Sequence, residues 1–206
     1  MTLLTRRSLL AVTTTAAALA ATRSHADTTQ AAADPRLAER GLGSATAKAR
    51  VEEWFSLTCT HCAAFAAEVF PKIRAGLIDT GKLRYVFKDF PLDQVALTAS
   101  MVARTLPPER YEPFVLMLFQ TQDRWAFARD VNSTEELAKM AALAGMPRTV
   151  FDKTVNDTAF RDAILAEQNR AVQAYNVDST PTFVCNGQVH KGEMTYDAFA
   201  TFAGLG

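Results

Sequence analysis

Two cysteines separated by two residues, Cys59-Thr60-His61-Cys62, are the side chains in this sequence best suited to do chemistry. The thiolate, not the thiol, attacks disulfides and binds metals, so a reactive cysteine needs surroundings that lower its pKa. Before the pair, Val51 to Leu57 is apolar and aromatic and reads as a strand. After it, Ala63-Ala64-Phe65-Ala66-Ala67-Glu68 is rich in helix formers. Cys59 therefore falls at or near a helix N-terminus, where unpaired N–H groups and the positive end of the macrodipole favour an anion. In a disulfide-exchange site the exposed first cysteine attacks or is attacked. The second, one helical turn on, is buried and resolves the mixed disulfide. A structural disulfide across two residues would constrain the unfolded chain very little. A closed zinc site needs four ligands, and no second pair of this spacing exists.

Other residues bear on this pair. His61 can place a positive charge beside the Cys59 thiolate and so strengthen the pair as an oxidant; the plainer reading is an exposed histidine. Strand alternation puts Glu53, Phe55 and Leu57 on one face and Glu52, Trp54 and Ser56 on the other. From spacing alone Glu53 is either a buried proton acceptor for the resolving thiol or a solvated charge near a strand end. Thr180-Pro181 opens a later strand, an ordinary place for proline. Cys185, the unpaired third cysteine, sits among Phe183 and Val184 and reads as a buried small hydrophobe. His190 reads as a surface hairpin residue.

The elements that must position these residues follow from pattern. Val51 to Leu57 is a strand, and Cys62 to about Phe70 a helix that Pro71 kinks or restarts and Thr80-Gly81 closes. Leu83 to Phe87 alternates as a second strand, predicted parallel to the first. Helical periodicity then runs through residues 94–106, 109–120, 134–144, 148–156 and 159–175, with Ser133 and Glu136 as a capping box. Two strands flank Asn186-Gly187, a strong hairpin signal, and a last helix runs from Thr195 to about Ala203. The order β-α-β, helical block, β-β-α implies an α/β, thioredoxin-like fold with an all-helical subdomain inserted at about residues 93–176.

Composition sets the context. The chain has 206 residues, 49% of them hydrophobic, with 22 basic and 22 acidic side chains, so nothing points to nucleic acid. Residues 1–26 read as a cleavable export signal: Arg6 and Arg7, an apolar run from Leu9 to Ala21, and small residues at Ser24-His25-Ala26. That run as a helix spans only about 20 Å, short of the roughly 30 Å hydrocarbon core. The paired arginines leave both the general secretory and twin-arginine routes open. Residues 27–48 read as a flexible lead with one short helix from Pro35 to Arg40, and residues 49–206 as the folded domain. Export to an oxidising compartment favours a disulfide-handling role for the pair.

These residues together resemble the DsbA-like thiol:disulfide oxidoreductases of bacterial envelopes. The resemblance covers essentially all of residues 50–205. It is carried by Glu53 through Cys62, by Leu83-Arg84-Tyr85-Val86-Phe87-Lys88-Asp89-Phe90-Pro91-Leu92, and by Ser179-Thr180-Pro181-Thr182-Phe183-Val184 followed by Asn186-Gly187 and Gly192. It implies a thioredoxin fold with a helical insertion. It also implies a cis-proline at Pro181 facing the pair, peptide contacts at Thr180 and Thr60, and an acidic residue beneath the site at Glu53. The implied activity is periplasmic: disulfides are introduced into reduced exported proteins, a membrane redox partner reoxidises the pair, and no cofactor takes part. Two departures stand out. Thr60 replaces a common proline, and Cys185 stands where an apolar residue is usual. Competing readings are an isomerase or reductase, for which residues 27–48 are the candidate dimerisation region; a copper- or zinc-binding envelope protein using Cys59, Cys62 and His61; and a peptide-binding chaperone.

Overall fold

The computed structural model describes residues 34–206. The export segment read at residues 1–26 lies outside the described residues.

A five-stranded sheet has the order β1-β3-β2-β4-β5. Its strands are β1 (Arg40–Leu42), β2 (Ala49–Phe55), β3 (Leu83–Asp89), β4 (Thr182–Cys185) and β5 (Gln188–Lys191). β2 and β3 run parallel with Glu53 opposite Phe87, while β4 pairs antiparallel with β2, Glu53 opposite Phe183. β2 is thus central, and Val51 to Phe55 are all buried. One face packs Phe55, Tyr85, Phe87 and Phe183 with Phe65, Phe70 and Phe199 in mostly edge-on or tilted aromatic contacts. The other packs Trp54 and Val184 with Phe90, Ala171 and Val177.

The first helix, α1 (Thr60–Glu68), is followed by a short α2 (Phe70–Ile73) with Pro71 in its first turn. Arg74–Ile78 widens into a looser turn, in which the Asp79 N–H bonds Arg74 O at 2.8 Å. Six helices stand between β3 and β4: α3 (Gln94–Thr105), α4 (Pro108–Gln120), α5 (Gln122–Trp125), α6 (Ser133–Leu143), α7 (Arg148–Val155) and α8 (Thr158–Tyr175). The hairpin turns at Asn186 and Gly187, with φ of 49° and 79°, the doubly left-handed geometry that this residue pair favours. The last helix is α9 (Tyr196–Phe202), capped by Thr195.

Three expectations need correction. Residues 40–42 are not flexible lead. They form β1, antiparallel to β3, because Arg40 is drawn inward to donate to Arg104 O at 2.9 Å. The short helix expected to run from Pro35 to Arg40 is one 3-10 turn at Pro35–Leu37, capped by Asp34. The start of α6 is capped not by a Ser133–Glu136 box but by Asn132, whose side chain accepts from Thr134 and Glu135, while Glu136 reaches Lys139. A buried ion pair, Arg104 with Asp89, ties the helical block to the end of β3, and Arg104 also donates to Arg36 O and Ala38 O. Opening it would leave a charge uncompensated in the interior.

Candidate redox site

Cys59 is the N-cap of α1. Its sulfur accepts the Cys62 N–H at 3.1 Å and lies 3.3 Å from the Thr180 carbonyl, to which its thiol donates. The sulfur thus takes the place of the side-chain oxygen that caps most helices. Cys59 is 6% exposed and Cys62 fully buried, and both are free thiols. Their environments pull them apart. The Cys62 side chain and the backbone N–H groups of Cys62 and His61 hold Cys59 down at about 6, against the opposing effect of burial. Burial pushes Cys62 well above the ordinary thiol range, and the Cys59 and Glu53 charges add to it.

Pro181 follows a cis peptide bond at Thr180, whose carbonyl meets Cys59, and immediately precedes β4. Glu53 is 3% exposed on β2 and accepts from the Tyr85 hydroxyl at 2.6 Å. Burial raises it to about 7, the Tyr85 bond opposes the rise, and the Cys59 charge adds to it. Of its two readings, the buried carboxyl is the one the fold builds. Thr60 is exposed on the first turn of α1. His61 is exposed too, and its ring meets Glu193 at 2.5 Å, so only its backbone N–H serves the Cys59 sulfur. Cys185 is buried in β4 opposite Val51 and Gln188, with its pKa raised by that burial.

Two supports escaped the sequence reading. Gln122, buried on α5, donates from Nε2 to Leu57 O at 2.8 Å and Cys59 O at 3.0 Å. Asp93 caps α3 through Ala96 and accepts from Thr58 Oγ1 at 2.7 Å. A glutamine and an aspartate in polar connections carry no spacing signal that separates them from solvated residues. Among the described residues, no group of three or more His, Cys, Asp or Glu side chains could hold a metal ion.

The family model described as Thioredoxin matches residues 37–203. The chain belongs to the thioredoxin family. Its structural neighbours are DsbA proteins: alpha-DsbA1 of Wolbachia pipientis superposes with a TM-score of 0.74 at 29% identity, covering 82% of this chain and 90% of that one. A Rickettsia felis protein bearing the provisional name of protein-disulfide oxidoreductase is 30% identical over 161 residues, 78% of this chain and 57% of that protein. Disulfide bond formation protein D of Bacillus subtilis is 26% identical over 164 residues, 76% of this chain and 71% of that protein. The chain thus spans little more than half the length of the curated Rickettsia relatives it matches. The fold is thioredoxin-like with helices inserted, and Cys59 and Cys62 lie together as the cysteines of a C-x-x-C pair.

Proposed function

We propose that this chain is an exported thiol:disulfide oxidoreductase that introduces disulfide bonds into proteins of the bacterial envelope. The observation that carries it is the asymmetry of the pair: Cys59 is held near 6 at a helix end, and Cys62 is buried and raised behind it. In the oxidised enzyme a substrate thiolate attacks the Cys59 sulfur. The Cys59–Cys62 bond breaks, and Cys62 leaves with the electron pair and takes a proton, since burial disfavours its anion. A second substrate thiolate then attacks the substrate sulfur of the mixed disulfide, and Cys59 departs as a thiolate already stable at neutral pH. Two electrons pass from substrate to enzyme, and a membrane redox partner accepts them in turn.

Glu53, poised near 7 beside the pair, exchanges the Cys62 proton. Thr180 and Thr60 flank the Cys59 sulfur and contact the bound peptide, and Pro181 holds that strand end against it. Residues 1–26 direct the chain to the periplasm. Among the described residues no helix is long and apolar enough to cross a membrane. The isomerase or reductase reading draws less support, because residues 34–42 of its candidate dimerisation region are engaged by the chain's own sheet and helices. The copper- or zinc-binding reading draws less support, because among the described residues no three His, Cys, Asp or Glu side chains are grouped so as to hold a metal ion. The test is the reduction potential against a glutathione series, paired with disulfide transfer to a reduced two-cysteine peptide. An oxidase gives a potential well above about −200 mV and rapid transfer lost in Cys59→Ala; a potential near −270 mV overturns the oxidase direction.

A further inference from the structure

The imidazole inside the redox pair is held by another part of the chain. His61 Nδ1 lies 2.5 Å from the Glu193 carboxylate, 132 residues away in sequence. Glu193 stands in the loop between β5 and α9, and that loop is pinned on both sides. Gly192, at φ +90°, donates its N–H to Pro181 O at 2.8 Å. Met194 is buried. His190 Nε2 lies 3.4 Å from the Glu193 carbonyl, with its ring edge-on to Phe202. Among the described residues, the other ion pair at this end of the hairpin is Lys191 with Asp178 at 2.8 Å. The Pro181 segment that faces Cys59 therefore also places a carboxylate on the histidine between the two cysteines.

We propose that Glu193 is a positioning residue that takes up the His61 imidazole and offsets its charge, holding the Cys59–Cys62 couple less oxidising than it would be with His61 free of that carboxylate. This rests on the redox reading above. The sign does not depend on the protonation of His61. With Glu193 the pair carries no net charge or one negative charge; with glutamine there it carries one positive charge or none. Removing the carboxylate therefore makes the surroundings of the thiolate no more negative, and more positive whenever His61 keeps its proton state. The pair is open to water, with the imidazole side chain 74% exposed and the carboxylate 38%. Its influence is therefore a small multiple rather than orders of magnitude.

The experiment equilibrates wild type, Glu193→Gln, His61→Ala and the double variant with glutathione, and follows Cys59 alkylation against pH. Glu193→Gln should shift the equilibrium about threefold towards reduced enzyme, about 14 mV for a two-electron couple, and move Cys59 alkylation to lower pH. The same substitution in the His61→Ala background should shift it clearly less, and Glu193→Asp should return most of the wild-type constant. Molar salt should shrink the difference. An unchanged or lowered constant in Glu193→Gln, or an equal shift in both backgrounds, overturns the proposal. A wild-type protein with no reversible dithiol couple overturns the redox reading itself, and that result shows in the wild-type arm alone.

Discussion

Reducing the Cys59–Cys62 disulfide should raise the melting temperature, and by an amount that grows with pH. The perturbation is the thiolate that reduction creates at the N-cap of α1, held at about 6 in the fold against an ordinary 9.0. A group whose folded pKa is depressed adds stability that is complete above its unfolded value and lost as pH falls through its folded value. Linkage with these two values gives nearly nothing at pH 5, about 1.4 kcal/mol at pH 7 and about 2.7 kcal/mol at pH 8. Water reaches part of the sulfur when a substrate can, so about half of each figure is the expected size. For a domain of this length that corresponds to a gap of roughly 2 °C at pH 7 and roughly 4 °C at pH 8, beyond the gap at pH 5. Glu53 titrates over the same range, but its cost is shared by both redox forms except for the part the thiolate adds. The assay is thermal unfolding of oxidised and reduced protein from pH 5 to 8, with and without chelator. An oxidised form that melts higher, or a gap that does not widen with pH, would refute the reasoning. A gap that chelator abolishes would replace the redox reading with a metal-binding one.

Glu53→Gln removes a carboxyl raised from 4.5 to about 7 by burial. Such a group's relative stability is present below 4.5 and lost as pH rises through 7, so the variant should gain about 3 kcal/mol over wild type in urea unfolding at pH 8 and little at pH 4, while disulfide transfer loses its pH dependence near 7. Cys185→Ser should leave the rate of disulfide transfer to a peptide unchanged, since Cys59 and Cys62 suffice for exchange, and should cost about 1 kcal/mol in unfolding for an underpaired buried hydroxyl.

What could be read from sequence was what short-range pattern encodes. The alternation through Val51 to Phe55, the alanine-rich run after Cys62 and the Asn186-Gly187 turn each state their own geometry, so β2, α1 and the hairpin lie where expected. β1 was hidden because three residues, Arg40 to Leu42, carry no periodicity, and a buried arginine reads as a surface one until Arg104 O is found beside it. The site divides in the same way. Cys59 and Cys62 announce themselves by type and spacing along one segment, whereas spacing leaves Glu53 open and only the fold shows that it is buried. Gln122 and Glu193 reach the pair from 63 and 132 residues away, and a side chain's long-range partner leaves no local trace. His61 shows the hazard in this. Its position between the cysteines is local, but nothing local shows that its ring meets Glu193.

The supports around the pair explain why an inserted helical block belongs beside this redox turn. The backbone of the turn must present N–H groups to the Cys59 sulfur, which leaves its carbonyls facing away from that sulfur and needing partners of their own. Gln122 meets two of them, at Leu57 and Cys59, from the block. Asp93, at the block's first helix, holds Thr58, and Ser56 Oγ accepts the Leu92 N–H at 3.2 Å just before it. With the carbonyl side fastened, the donor side of the turn cannot relax away from the sulfur. A neutral disulfide sulfur accepts those N–H groups weakly, whereas a thiolate accepts them as charge-assisted bonds. The helix end is therefore best satisfied when the pair is reduced, so the block favours the reduced state. If that is its role, loosening Gln122 should make the pair a weaker oxidant while leaving both cysteines in place.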